Sequence, residues 1–396
     1  MSDGIHVFEV YLEKILFMKP IARSLEKEII KRIGSNKVIL LFGSRRVGKT
    51  KLLHSIAAGQ KQPPLILNGE DLDVQQLLAR RTVANYGRII GNNSLIMIDE
   101  AQNVPDIGKH LKFMIDSFPK LTIIATGSSS FDLMNKSGEP LTGRNFQYTL
   151  YPIAQDELMM SFGALETKQQ FDERLIFGSY PEVINIPEIH EKELYLKSLV
   201  QNYLLKDIFI YENIKNSSKI FDLLKLLAFQ VGSEVSIEEL GRNLGMSKNT
   251  VERYLDLLSK VFIIFKVGGF SSNLRKEVVK SNKWYFMDNG IRNAIISDFR
   301  TMDSRNDKGQ LWENFCFYER MKFMHYGRKK TEYFFWRTYD KQEIDMIEKN
   351  NTQLHAFEFK WSDKSMKKIP RFFASNYPDS GFDVVHPANY LEFTTS

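Results

Sequence analysis

Apolar residues at the start of the chain recur at helical spacing. Leu12, Ile15 and Leu16, then Leu25, Ile29 and Ile30, are separated by charged residues, which predicts one or two lead-in helices before residue 35. From residue 37 the pattern changes to short unbroken apolar runs, at 37–42, 64–68, 94–99 and 121–126, with helical segments between them. Strands that are apolar on both faces belong in a parallel sheet covered by helices. An α/β domain over residues 1–155 is therefore expected. Residues 156–216 keep a helical period, broken at Gly178-Ser179-Tyr180-Pro181, and read as a helical lid or connector.

The character changes again near residue 217. Leu223, Leu224, Leu226 and Leu227 form a helix face, and Ser236 with Glu239 makes a capping-box signature for a short helix closed by Gly245. Ser247 caps a second helix through Leu258, and a strand over 261–267 enters a hairpin at Gly268-Gly269. That order predicts a winged helix-turn-helix over 217–287. Residues 288–396 add a helix at 311–321 and strands at 333–337, 343–348 and 354–360, a further α+β or α/β unit.

A chain of 396 residues is long enough for several domains, and 43% hydrophobic with 26% charged residues is ordinary globular usage. The single cysteine, Cys316, excludes an intramolecular disulfide and a cysteine-rich zinc site, and sits in an aromatic run that predicts burial. Apolar runs of about five residues fall far short of the roughly 20 needed to span a bilayer. Asp3, Glu9 and Glu13 interrupt the N-terminal apolar residues, so no signal peptide is expected and a cytoplasmic protein is. The formal charge of +6 admits a polyanionic partner.

Gly43-Ser44-Arg45-Arg46-Val47-Gly48-Lys49-Thr50 fits G-x-x-x-x-G-K-[ST] between an apolar strand and a helix. Its backbone amides would wrap the phosphates of ATP, Lys49 would reach the β and γ phosphates, and Thr50 would bind Mg2+. The next buried strand ends in Asp99-Glu100, where Asp99 would hold the same Mg2+ and Glu100 would polarise the attacking water. Gln102 is placed either to order that water or on a helix surface. Thr126 and Ser128, after the following strand, are candidates to sense the γ-phosphate; an ordinary loop cap is the alternative. Arg144 is either an arginine finger toward a neighbouring copy of the chain or a surface ion pair.

These segments, with Ala101, Gly127, Ser129, Gly143, Tyr151-Pro152 and the Gly178–Pro181 break, resemble AAA-type ATPases that carry a C-terminal DUF4143 region. The resemblance covers nearly the whole chain and implies an ATP-binding fold and a domain order more than a biological role. The fold expected is an α/β P-loop NTPase sheet, a helical connector, a winged helix and an α/β nuclease-like domain.

Two C-terminal regions bear on partners. In the second helix of the helix-turn-helix, Lys248, Asn249, Thr250 and Arg253 are of types that contact DNA, and Lys266, Arg275, Lys276, Lys280 and Lys283 add charge on the flanking hairpin. Glu252 and Asp256 on the same helix suit a protein-binding role instead. Further on, strand alternation places Glu358 and Lys360 on one face, with Asp345 across a short hairpin and Glu313 on the preceding helix. This D-(x)n-E-x-K arrangement resembles the PD-(D/E)xK nuclease superfamily, which implies a divalent metal on Asp345 and Glu358 with Lys360 activating water. A surface hairpin with an exposed Glu–Lys ladder is the plainer reading. The function expected is thus an Mg2+-dependent ATPase whose nucleotide state controls DNA engagement, or a nucleotide-dependent switch that binds a protein partner and cuts nothing.

Overall fold

The computed structural model describes residues 21–128, 141–204, 217–271, 282–362 and 368–395. The lead-in before residue 21, Ser129, and Arg275, Lys276 and Lys280 of the basic stretch lie outside the described residues.

Helix α1 (Ser24–Ile30) leads into β1 (Val38–Phe42), all five of whose residues are buried. After the glycine loop come α2 (Lys49–Ala58), β2 (Leu65–Asn68), α3 (Leu72–Ala79), α4 (Val83–Ile90), β3 (Leu95–Asp99), α5 (Ile107–Ser117), β4 (Thr122–Gly127) and β5 (Asn145–Thr149). The strands pair in parallel in the order β2-β3-β4-β1-β5. One face packs Val38, Leu40, Ile96, Ile98 and Ile123 against α4 and α5, and the other packs Ile39, Leu41, Met97 and Ile124 against α1 and α2. The apolar runs of β1, β3 and β4 are thus buried on both faces, as expected, whereas the edge strand β2 buries only Leu67. The edge strand β5 has no such run: Asn145, Gln147 and Thr149 alternate with Phe146 and Tyr148.

A helical segment follows: α6 (Gln155–Gln169, broken at Gly163), α7 (Phe171–Phe177), α8 (Pro181–Asn185) and α9 (Ile189–Leu199). Then come α10 (Ser217–Phe229), β6 (Glu234–Val235), α11 (Ile237–Leu244), α12 (Lys248–Lys260), β7 (Ile264–Gly269), β8 (Asn282–Phe286), α13 (Asn289–Ile296) and α14 (Lys308–Tyr326). The chain closes with β9 (Glu332–Arg337), β10 (Glu343–Asn350), β11 (Gln353–Phe359), α15 (Arg371–Asn376), β12 (Gly381–Val385) and α16 (Tyr390–Thr395). The caps at Ser236 and Ser247 form as expected, each hydroxyl accepting an amide three residues on at 3.2 Å.

The expected turn at Gly268-Gly269 is instead strand. Both residues continue β7, because β9 pairs in parallel along its other edge, Gly268 with Phe334 and Gly269 with Phe335. One mixed sheet therefore runs β12-β11-β10-β9-β7-β8-β6, and segments 217–287 and 288–396 share a hydrogen-bonded layer. Their core is common with the helical segment: Phe171 stacks among Trp312, Phe315, Trp361 and Tyr390.

The break at 178–181 is where the helical segment meets α13. Gly178 has φ +71, and a Cβ there would lie 1.9 Å from Asp288 Oδ1. Ser179 N donates to Asp288 Oδ2 at 2.7 Å, and Ile291 N donates to Asp288 Oδ1 at 3.1 Å. Burial pushes the Asp288 carboxyl up to about 6, against the pull of the Ser179 amide, Lys322 and the Ile291 and Gly290 amides. The folded chain then keeps a proton that the unfolded chain releases above its ordinary value, 3.8. This group favours folding below about pH 4 and loses that contribution as pH rises to 6. Relative to Asp288→Asn, wild-type stability in urea should fall by about 2 kcal/mol between pH 4 and pH 6.5. A difference that stays constant over that range would show the carboxyl to be ionised throughout.

Candidate functional site

The first candidate site lies at the C-terminal ends of β1, β3 and β4, where parallel strands leave their loops free for chemistry. The chain leaves β1 through Gly43, where a Cβ would sit 2.3 Å from the Leu150 carbonyl oxygen. Arg46 (φ +66) and Gly48 (φ +97) then turn the loop into α2. Lys49 is 4% exposed, and its ammonium donates to the Gly43 and Ser44 carbonyls, each at 3.0 Å. The first turn of α2 adds its backbone amides and the positive end of its dipole.

Hydroxyls and carboxylates meet beside this loop. Thr50 Oγ1 donates to Asp99 Oδ2 at 2.7 Å, and Thr126 Oγ1 donates to Asp99 Oδ1 at 2.5 Å. Thr126 Oγ1 in turn accepts the Glu100 amide at 3.0 Å. Glu100 adopts φ +48, and its Oε2 accepts Gln102 Nε2 at 2.5 Å. Gln102 Oε1 is buried with no hydrogen-bond partner among the described residues. Ser128 is buried at the end of β4.

Arg144 lies elsewhere. Its carbonyl accepts the Val38 amide at 2.9 Å, at the start of β1, so it occupies the edge of the sheet opposite the glycine loop. Its guanidinium pairs with Asp116 at 2.6 Å, both side chains more than 40% exposed. Contact with the loop of its own chain is excluded by that placement.

Two residues that sequence reasoning left without a role hold the loop from beneath. The Tyr180 hydroxyl meets Ser44 Oγ at 3.0 Å. Arg23 Nη1 donates to the Val47 carbonyl at 2.7 Å. The Gly178–Pro181 break was the sequence signal for the first; Arg23 has none.

The C-terminal constellation assembles at one end of the mixed sheet, but not as an exposed ladder. Glu358 is 2% and Asp345 8% exposed, so the expected polar face of β11 is covered. Lys360 Nζ lies 2.6 Å from Glu358 Oε1 and 3.9 Å from Asp345 Oδ2, and the Phe359 amide donates to Asp345 Oδ2 at 2.8 Å. Glu313 joins through Lys283, whose ammonium lies 3.4 Å from Glu313 and 2.9 Å from Glu343, while the Tyr285 hydroxyl donates to Glu313 at 2.6 Å. Burial pushes the Asp345 carboxyl up to about 8, and the Glu313 and Glu358 carboxylates add to the rise. Lysines thus stand between the carboxylates, and among the described residues no three His, Cys, Asp or Glu side chains are placed to hold a metal ion. Lys283, expected on a DNA-facing hairpin, is buried in this cluster instead.

On α12, Lys248, Asn249, Glu252, Arg253 and Asp256 are exposed together. Lys248 pairs with Glu238 at 2.6 Å and Asp256 with Lys260 at 2.5 Å. Thr250 is half-buried, its hydroxyl engaged with Ser247 at 2.9 Å.

A strand order of 2-3-4-1-5, a glycine loop after β1 and an acidic pair after β3 define a P-loop ATPase domain. Residues 35–159 match the family model described as AAA domain, and residues 308–391 match the domain of unknown function DUF4143. Residues 168–302, between these two, match a further domain of unknown function, DUF8612. An uncharacterized protein of Methanocaldococcus jannaschii is 26% identical over 364 residues, 86% of this chain and 78% of that one. An uncharacterized protein of Mycobacterium tuberculosis is 26% identical over 327 residues, 82% and 70% of the two chains. Among solved structures, the Thermotoga maritima RuvB Holliday junction branch migration motor matches with a TM-score of 0.33 and 17% identity, over 63% of this chain and 93% of that one. No helix among the described residues is long and apolar enough to cross a membrane.

The buried carboxylates depend on their lysines. Lys283→Met leaves Glu313 and Glu343 facing one another, and should cost about 3 kcal/mol at pH 8. Burial raises the Glu313 carboxyl, so toward pH 5 its protonation relieves the repulsion and the loss should shrink; urea titrations at the two pH values measure it. Equal losses would mean that packing, not charge, carries the effect.

Proposed function

We propose that this protein is an Mg2+-dependent ATPase of the cytoplasm whose nucleotide state governs the engagement of DNA by its C-terminal half. The observation that carries the ATPase reading is the chain Thr50–Asp99–Thr126–Glu100 laid directly against the phosphate loop. The Thr50 hydroxyl and the Asp99 carboxylate are hard oxygen donors 2.7 Å apart, the donor chemistry Mg2+ takes. When bound there with ATP, the ion neutralises charge on the β and γ phosphates. The backbone amides from Gly43 to Thr50 bind the phosphates, and the Lys49 ammonium leaves the loop carbonyls for them. Glu100 takes a proton from water, and Gln102 orients its carboxylate while offering an unused amide oxygen to the same water. Thr126 holds Asp99 and the Glu100 backbone in register. Arg144, placed away from its own loop, acts as a finger on a neighbouring copy of the chain.

For the DNA role, the support is the helix and strand order of a winged helix from α10 to β8, with Lys248, Asn249 and Arg253 on the open face of α12 and Thr250 at its capped start. Metal-dependent cutting by Asp345, Glu358 and Lys360, with Glu313 behind them, belongs to this reading. A second reading, a nucleotide-dependent switch that binds a protein, is favoured by two observations: Glu252 and Asp256 share the exposed face, and lysines fill the carboxylate cluster.

Lys49→Ala and Glu100→Gln should each lower ATP turnover at least about 100-fold, the second with ATP binding retained. Turnover equal to wild type in both would sink the site. For DNA, binding measured at about 50 mM salt should weaken as salt rises, and Arg253→Ala should flatten that dependence. Incubation with Mg2+ or Mn2+ should nick DNA in wild type and not in Asp345→Ala or Lys360→Ala. Intact DNA in all three, with no affinity at low salt, selects the protein-binding switch.

A further inference from the structure

The phosphate loop is fastened on its inner side to parts of the chain that lie far from the ATPase domain. Arg23 is the first fastener. Its side chain is 8% exposed and its guanidinium is spread over four partners: the Val47 carbonyl at 2.7 Å, the Tyr151 carbonyl at 2.6 Å, Glu157 Oε1 at 3.1 Å and the Tyr326 hydroxyl at 3.4 Å. Tyr326 is the last residue of α14, in the DUF4143 region, and its oxygen also accepts the Tyr151 amide at 3.0 Å. A planar fork of this kind fixes direction as well as distance, which a lysine would not.

Tyr180 is the second fastener. It is 2% exposed, its hydroxyl meets Ser44 Oγ, and its neighbour Ser179 is tied to Asp288 at the start of α13. Gly290 closes the joint, since a Cβ there would lie 2.1 Å from the Phe177 carbonyl oxygen. Asn293 adds a bond from its amide to the Ile176 carbonyl at 2.8 Å.

Ser44 stands at the meeting point. Its carbonyl accepts the Lys49 ammonium and its hydroxyl is hydrogen-bonded to the Tyr180 hydroxyl. A phosphate that draws Lys49 away removes the ammonium's bond to the Ser44 carbonyl, and Tyr180 at Ser44 and Arg23 at Val47 then restrain the two ends of the peptide between them. Both restraints end on the C-terminal half, one at Asp288 and one at Tyr326. Packed elements of this density respond by shifting as bodies.

Resting on the ATPase reading above, we infer that Arg23 and Tyr180 are positioning residues for the phosphate loop and the route by which ATP occupancy is passed to α13 and α14. Neither touches a reacting atom. The coupling is reciprocal: whatever the C-terminal half binds should alter the affinity for ATP by the same factor.

The test uses the full chain. Amide hydrogen exchange is followed over residues 288–296 and 308–326, without nucleotide and with saturating ATP and Mg2+, alongside ATP binding by calorimetry. Wild type should show exchange rates in both segments altered by about tenfold on ATP binding. Tyr180→Phe should bind ATP but lose most of the change over 288–296, keeping it over 308–326; Tyr326→Phe should do the reverse. Arg23→Lys, which keeps the charge beside Glu157 without the fork, should behave like Tyr326→Phe. Wild type that binds ATP with no change in either segment overturns the inference, as do hydroxyl-deletion variants that keep the full wild-type response. Wild type that binds no ATP overturns the ATPase reading itself, and calorimetry tells that failure apart from the first two.

Discussion

A buried guanidinium is the constraint around which this molecule is arranged. Arg23 cannot sit inside the protein without a full set of acceptors, because an uncompensated charge there would cost several kcal/mol. Its partners come from the phosphate loop, the end of the first sheet, the start of α6 and the end of α14. Glu157, wholly buried, answers it and spends its remaining capacity on the Ser24 and Ala154 amides at 2.8 and 2.9 Å. Removing any one of these segments leaves part of the guanidinium without its acceptor. The ATPase domain, the helical connector and the DUF4143 region are thereby made parts of a single packed object.

The C-terminal half has its own version of the same problem. Four carboxylates are gathered beneath one end of the mixed sheet and two lysines are set between them. Such a network favours one arrangement of β8, β10, β11 and α14 over others, since any slip of register would separate a charge from its partner. It is also the chemistry that holds metals and moves protons, which is why the same residues support both a structural and a catalytic reading.

The glycine loop and its acidic neighbours were legible because each of their parts is local. A buried parallel strand announces itself as an unbroken apolar run, and the motif follows it within a few residues, so Gly43 through Thr50 and Asp99-Glu100 fall where the pattern places them. Strand β5 was not legible, because an edge strand built from Asn145, Gln147 and Thr149 carries no apolar signal and depends on β1 for its pairing. The continuation of β7 through Gly268 and Gly269 was hidden for a similar reason: its partner, β9, lies some 65 residues on. Lys283 and Glu358 misled in the opposite sense. Charge suggested exposure, and only the three-dimensional arrangement shows that each is neutralised inside. Arg23 could not have been singled out at all, since its four partners are spread over the length of the chain.

The bond between the Tyr326 hydroxyl and the Tyr151 amide spans 175 residues. At a synthesis rate of about 5–20 residues per second, that separation is a delay of roughly 10 to 35 s on the ribosome. During this interval the first sheet and its phosphate loop have left the exit tunnel, but the support under Val47 and Tyr151 has not been made. A nascent chain therefore carries the glycine loop before it carries the brace that shapes it, and completion of the brace reports that α14 has been synthesised and docked.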